Sequence, residues 1–282
     1  MERSEWLRLP AEELVARAPF PLRIVPSAEA LYDDFAGAMH DEIAAAAGAG
    51  TELSVIVPLG PRNHFPRLAE RINAERLSLG HVTFFGMDNW LDWQGRLLPL
   101  DGPSNLEGLF HRIFLDLVEP ELRPDPSNVI FPSPDDLGRP AREIERRGGV
   151  ATTYGGIGFE GHIAFNDPPS SRLTRVSLEE FRASDTRVLS LAPGTIISTA
   201  HRSFGGDVLS VPPMAVTLGM RQLLGASRIR LYLEGGPWKQ TILRELVFSE
   251  PSVDYPVTLV RDHPDVVVVV DAESAQPPLA AL

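Results

Sequence analysis

Apolar positions along the chain follow two alternating rhythms. Residues 28–47 place apolar side chains at helical spacing behind Ser27, a capping residue, with acidic Glu29 in the first turn and Gly48 after a run of alanines; this predicts a helix. Residues 53–57 are a short β-branched run bounded by Pro58 and Gly60, the pattern of a buried strand. The exchange continues, with helical spacing at 67–77, 104–118 and 135–147 and strand-like runs at 81–85, 128–131 and 150–154. In the second half, 214–217, 228–234, 255–260 and 266–270 read as strands, and 219–224 and 237–247 as helices. Strands alternating with helices predict an α/β fold: a three-layer, doubly wound, mainly parallel sheet covered on both faces, whose strands are continuous apolar runs. No repeat, low-complexity tract or long Gly/Ser linker interrupts the pattern, so 1–282 reads as one domain with residues 1–20 as an N-terminal extension.

Composition narrows the function. With 282 residues, 43% of them hydrophobic, the chain can bury a sizeable core. Its 26 Lys and Arg against 38 Asp and Glu give a formal charge of −12, which repels a phosphate backbone, and no basic stripe interleaves with aromatics; no nucleic-acid partner is expected. The longest aliphatic run, 266–270, ends at Asp271, far short of the roughly 20 apolar residues of a membrane span, so no membrane partner is expected. Cysteine is absent, which removes disulfides, thiolate metal sites and cysteine nucleophiles. The first ten residues lack the apolar stretch of a secretory signal, which points to the cytoplasm. None of the seven histidines has metal-ligand spacing, and no nicotinamide fingerprint is present, so neither a metal nor a cofactor is expected.

In a parallel sheet ligands bind beyond the carboxyl ends of the strands. Three post-strand segments combine glycine with an ionisable group: Gly86-Met87-Asp88-Asn89, Gly155-Gly156-Ile157-Gly158-Phe159-Glu160-Gly161-His162, and Gly235-Gly236-Pro237-Trp238-Lys239. Glycine permits close backbone approach, and the charged residue is delivered to the ligand edge. His162 has the side chain whose unperturbed pKa of about 6.5 suits proton transfer near neutrality, and carboxylates at Glu160 and Asp167 can orient its ring. Asp88 supplies a second, separate base on the same sheet edge.

The run 155–168, ending Gly161-His162-Ile163-Ala164-Phe165-Asn166-Asp167-Pro168, closely resembles the signature of glucosamine-6-phosphate deaminases, relatives of the 6-phosphogluconolactonases. The likeness extends to the strand ending in Met87-Asp88, to Asp185-Thr186-Arg187, and to Val211-Pro212 with Ala215-Val216-Thr217-Leu218-Gly219. It implies a Rossmann-like sugar isomerase fold and a phosphorylated amino sugar as partner, with a homo-oligomer as one option. By the same resemblance, His162, supported by Glu160 and Asp167, opens the pyranose, Asp88 moves a proton between C2 and C1, and the amino group leaves as ammonia. Arg202 and Lys239 resemble the family's phosphate-binding Arg and Lys, and Gly60, Arg62, Asn63 and Gly161 complete the expected substrate-binding set. Arg187 either joins them or pairs with Asp185.

The pattern also breaks. The first phosphate loop reads Pro58-Leu59-Gly60-Pro61-Arg62-Asn63-His64, in which Pro61 removes a backbone donor and the expected hydroxyl is missing. Arg62 and Asn63 either replace those donors or serve a different anionic group. Glu160 and Asp167 stand where the family has Asp and Glu, each carboxylate displaced by about one methylene. Asn89 replaces a common Glu, and 170–177 do not match the family's regulatory site. Three readings follow: an amino-sugar-phosphate isomerase with deamination, a sugar-lactone hydrolase like 6-phosphogluconolactonase, and a non-catalytic sugar-phosphate sensor.

Overall fold

The computed structural model describes residues 1–169 and 175–278, so part of the 170–177 stretch lies outside the described residues. In chain order the elements are α1 (Arg3–Trp6), α2 (Ala11–Arg17), β1 (Leu22–Val25), α3 (Ala28–Ala49), β2 (Leu53–Val57), α4 (His64–Glu75), β3 (Val82–Gly86), β4 (Asp88–Leu91), α5 (Leu106–Ile113) and β5 (Val129–Ile130). There follow α6 (Arg139–Arg146), β6 (Thr152–Gly156), α7 (Leu178–Arg182), β7 (Arg187–Ser190), α8 (Pro193–Ser203), β8 (Met214–Thr217), α9 (Met220–Leu224), β9 (Arg228–Leu233), α10 (Gln240–Phe248) and β10 (Val266–Asp271).

Among the described residues, seven strands form a parallel sheet in the order β1-β10-β9-β6-β2-β3-β5. All five residues of β2 are buried. Successive side chains point to opposite faces, so Val55 and Val57 join one core with α3 and α4 residues such as Phe35 and Phe65. Ile56 joins a second core with Leu243 and Leu246 of α10. Two cores, one on each face, explain why the strands read as unbroken apolar runs. From β2 the chain adds β3 and β5 on one side and β6, β9 and β10 on the other, so its winding reverses between β2 and β6 and leaves a crevice beyond their carboxyl ends.

A smaller antiparallel sheet, β4-β8-β7, was not expected. Residues 88–91 and 187–190 show no clear apolar alternation, and their pairing with β8 is a tertiary event. The expected strand at 255–260 is instead a 3₁₀ segment, Pro256–Asp262. Pro256 lacks a ladder donor, the Thr258 hydroxyl donates to the Tyr255 carbonyl at 2.6 Å, and the Val257 amide donates to Gly161 at 2.7 Å. The expected helix at 104–118 breaks at Phe114, whose φ of −133° is not helical, and resumes as a single 3₁₀ turn. Residues 1–20 dock onto the main body: Leu14 is fully buried, and the buried Arg244 donates to the Leu9 carbonyl at 2.7 Å.

Candidate active site

Loops after β2, β3, β6 and β9 and the helix α8 enclose a cavity of about 390 Å³. Asp88 and His162 both line it, as do Gly60, Arg62, Asn63, Arg202, Glu234 and Lys239. Strand β3 carries the chain to the sheet edge, and the switch into β4 opposite Thr217 fixes Asp88 there. Asp88 is 7% exposed, and its carboxyl accepts no hydrogen bond from any described residue; burial raises its pKa to about 7. A carboxylate so poised has the basicity a general base needs near neutrality.

His162 is held from one side. Its Nδ1 lies 2.6 Å from Oδ1 of Asp167. The Thr195 hydroxyl donates to that same oxygen at 2.7 Å, and the Ala192 amide donates to Oδ2 at 3.0 Å. Burial pushes Asp167 up, but the bond to His162, its charge, Thr195 and Ala192 outweigh it and hold the carboxyl below its ordinary range. With Nδ1–H given to Asp167, Nε2 is left as the free acceptor. Gly158 lies beneath the ring, where a Cβ would sit 1.8 Å from Nε2. Gly156 is equally constrained: a Cβ there would meet the Gly60 carbonyl at 2.3 Å and Cδ of Pro61 at 2.6 Å, so the loop after β2 packs directly against the end of β6.

Glu160 lies within reach of the charge of His162, which lowers its pKa against the larger effects that raise it. It makes no hydrogen bond to His162; its carboxyl lies against Gly194 in the first turn of α8, and burial, then the charge of Asp167, raises its pKa. Gly161 is not on the cavity wall. At φ +78° it turns the chain beneath Tyr255 and Val257 and anchors the loop through its carbonyl. Arg187 forms no ion pair with Asp185, whose carboxylate is taken by Arg221 and Gln222.

Arg202 and Lys239 lie near one another on the cavity lining. Arg202 of α8 pairs with Glu234 at 2.5 Å. Lys239 is 5% exposed and donates to the Ile157 carbonyl; burial, then the charge of Arg202, lowers its pKa to about 7. Arg62 and Asn63 are exposed on the loop after β2, which ends at the wholly buried His64, stacked on Phe35 with ring centres 3.7 Å apart. Sequence reasoning missed Thr195, the Ala192 amide and Glu234. The first two carry no motif, and Glu234 was read only as the end of a strand.

No protein-family model matches the chain. It is 31% identical over 218 residues to the glucosamine-6-phosphate deaminase of Aeromonas salmonicida, spanning 76% of this chain and 75% of that enzyme. It is also 31% identical over 219 residues to the enzyme of the same name from Cronobacter sakazakii, with the same coverage. Among solved structures, a monomeric glucosamine-6-phosphate deaminase superposes with a TM-score of 0.77 at 23% identity, covering 91% of this chain and 99% of the other. The 6-phosphogluconolactonase of Leishmania guyanensis gives 0.65 at 16% identity, covering 90% and 97%. These two share the fold.

Proposed function

The chain belongs to the glucosamine-6-phosphate deaminase family, and from that premise we propose that it is an amino-sugar-phosphate aldose–ketose isomerase that releases ammonia. The observation that carries this reading is the placement of Asp88 and His162 on one cavity, the imidazole already oriented by Asp167. Nε2 of His162 takes the anomeric hydroxyl proton as the C1–O5 bond breaks, and the ring oxygen is protonated in turn. Asp88 then removes the C2 proton as O1 is protonated, and returns it to C1 as the amine gives up one of its own protons, leaving a C2 imine. Water adds to that imine, and ammonia departs to give the ketose. Arg202 and Lys239 hold the phosphate.

The test is ammonia release and ketose phosphate formation from glucosamine 6-phosphate and its epimers, with solvent-proton exchange at C2 followed in heavy water. Exchange that persists in Asp88→Asn removes Asp88 as the base. Hydrolysis of a sugar lactone without ammonia release from any amino sugar would replace this reading with the lactonase one.

A further inference from the structure

One flank of α8 faces the cavity with Thr195, Ser198, Thr199, Arg202 and Ser203, a spacing that stacks these side chains along successive helical turns. Two of its four hydroxyls are engaged. Thr195 donates to Asp167 at 2.7 Å, and Ser198 donates to the Thr195 carbonyl at 3.1 Å. The hydroxyls of Thr199 and Ser203 line the same cavity and bond to no described residue. Arg202 stands between them in sequence, next to Glu234 and within reach of the charge on Lys239.

The loop after β2, which also lines the cavity and leads into α4, is short of donors. An anion at a helix N-terminus is held by the first backbone amides. Here Pro61 and Pro66 have no N–H, and the Phe65 amide is given to the Arg62 carbonyl at 3.2 Å. The Asn63 side chain is hydrogen-bonded to Tyr32, and the Gly60 carbonyl and Pro61 ring pack against Gly156. Arg62, Arg202 and Lys239 outnumber the lining acids Glu234 and Asp88, so the cavity attracts an anion. Directed donors are still needed to fix its oxygens, and a hydroxyl supplies one each.

We propose that Thr199 and Ser203 seat the substrate phosphate: their hydroxyls donate to its oxygens from the flank of α8, beside Arg202, in place of the donors that the loop after β2 lacks. This rests on the amino-sugar-phosphate reading and adds specificity-determining residues to it. The seat and Thr195, which serves His162 through Asp167, then lie on one helix, roughly one to two turns apart. The spacing between the anion and the reacting end of the sugar is set by α8 itself.

The experiment measures Kd for glucosamine 6-phosphate by calorimetry in an Asp88→Asn background, which suppresses turnover. Thr199→Val keeps the side-chain shape and removes the hydroxyl, whereas Thr199→Ser keeps the hydroxyl and removes the methyl. Thr199→Val and Ser203→Ala each raise Kd about tenfold or more, as loss of a hydrogen bond to a charged group does. Their combination raises it further, and Thr199→Ser binds as the parent does. A parent-like Kd in either Thr199→Val or Ser203→Ala overturns the proposal. Equal weakening in Thr199→Val and Thr199→Ser overturns it too, because packing and not the hydroxyl would then be responsible, as does failure of the parent to bind the ester. C2 exchange by the Asp88-intact protein is run alongside. Exchange together with a parent-like Kd in either hydroxyl variant rejects the seat alone, and the expected binding pattern without exchange or ammonia release rejects the isomerase reading alone.

Discussion

Oδ1 of Asp167 stands 2.6 Å from Nδ1 of His162 and also accepts the Thr195 hydroxyl, while Oδ2 accepts the Ala192 amide. Every lone-pair direction that matters for orienting the ring is thus fixed from α8. Asp167→Asn keeps the shape but offers an amide in place of one acceptor, so the imidazole loses its preference for carrying the proton on Nδ1. The expected outcome is a fall in kcat of about 10²–10⁴, the usual worth of a positioned proton-transfer group, with KM little changed. A Thr195→Val variant, which removes one bond to the same oxygen, should lose less. A loss confined to KM in both would show that the pair shapes the binding wall and not the reacting imidazole.

On the proposed isomerase reading, the burial of Asp88 sets the acid limb of the rate profile. Its carboxyl reaches a pKa of about 7, and only the ionised form removes a proton. Activity in the free enzyme therefore falls about tenfold per pH unit below that value. Initial rates of C2 exchange between pH 5 and 8 check it. A plateau extending down to pH 5 would mean that the base ionises like an ordinary carboxylate and is not Asp88 in this environment.

The same burial costs stability, with a sign that can be worked out. A carboxyl whose folded pKa is about 7 against an ordinary 3.8 is favoured in its protonated form by the fold. No penalty exists below 3.8; it grows as pH rises between the two values and is complete above the folded one. Its full size is on the order of 3–4 kcal/mol, from a difference of about three pKa units. Asp88→Asn should therefore raise the unfolding free energy at pH 8 by roughly 2–4 kcal/mol, and by less at pH 5, while abolishing exchange. Denaturant titrations at the two pH values test this. Equal stability changes at both would separate the effect from ionisation.

How much of this was legible from the sequence depends on where the determining contact lies. Runs such as Val55-Ile56-Val57 showed the buried parallel sheet because each residue has a core to face, whichever side it points to. The run at 255–260 is as apolar, but Pro256 and the Thr258 hydroxyl satisfy its backbone locally, so burial alone misled. That Asp88 and His162 come to one sheet edge was readable because both follow strand ends, and the pairing of His162 with Asp167 because they lie five residues apart. The strand β4 was not, since it exists only through β8. Nor was the split between the two acids: Asp167 reaches His162 because α8 supplies a hydroxyl and an amide around it, whereas Glu160 is drawn to Gly194. Glu234 gave no signal because its partner Arg202 is 32 residues away in sequence.

Two glycines separate the roles of the histidine and of the remaining acid. A Cβ at Gly158 would stand 1.8 Å from Nε2 of His162, and one at Gly194 would stand 2.6 Å from the carboxyl of Glu160. Neither has positive φ, so alanine is tolerated by the backbone at both and the effect falls on the neighbouring side chain. The imidazole is pinned by Asp167 and must give up that bond to move, whereas the glutamate chain is flexible and only partly buried. Gly158→Ala should therefore lower kcat by about 10² or more with little change in far-UV circular dichroism. Gly194→Ala should shift Glu160 at small structural cost, and its kcat then reports what the displaced carboxyl contributes. A fall in kcat comparable to that of Glu160→Gln would place Glu160 in the proton path. Unchanged kcat in both Gly194→Ala and Glu160→Gln would confine proton handling to Asp88, His162 and Asp167.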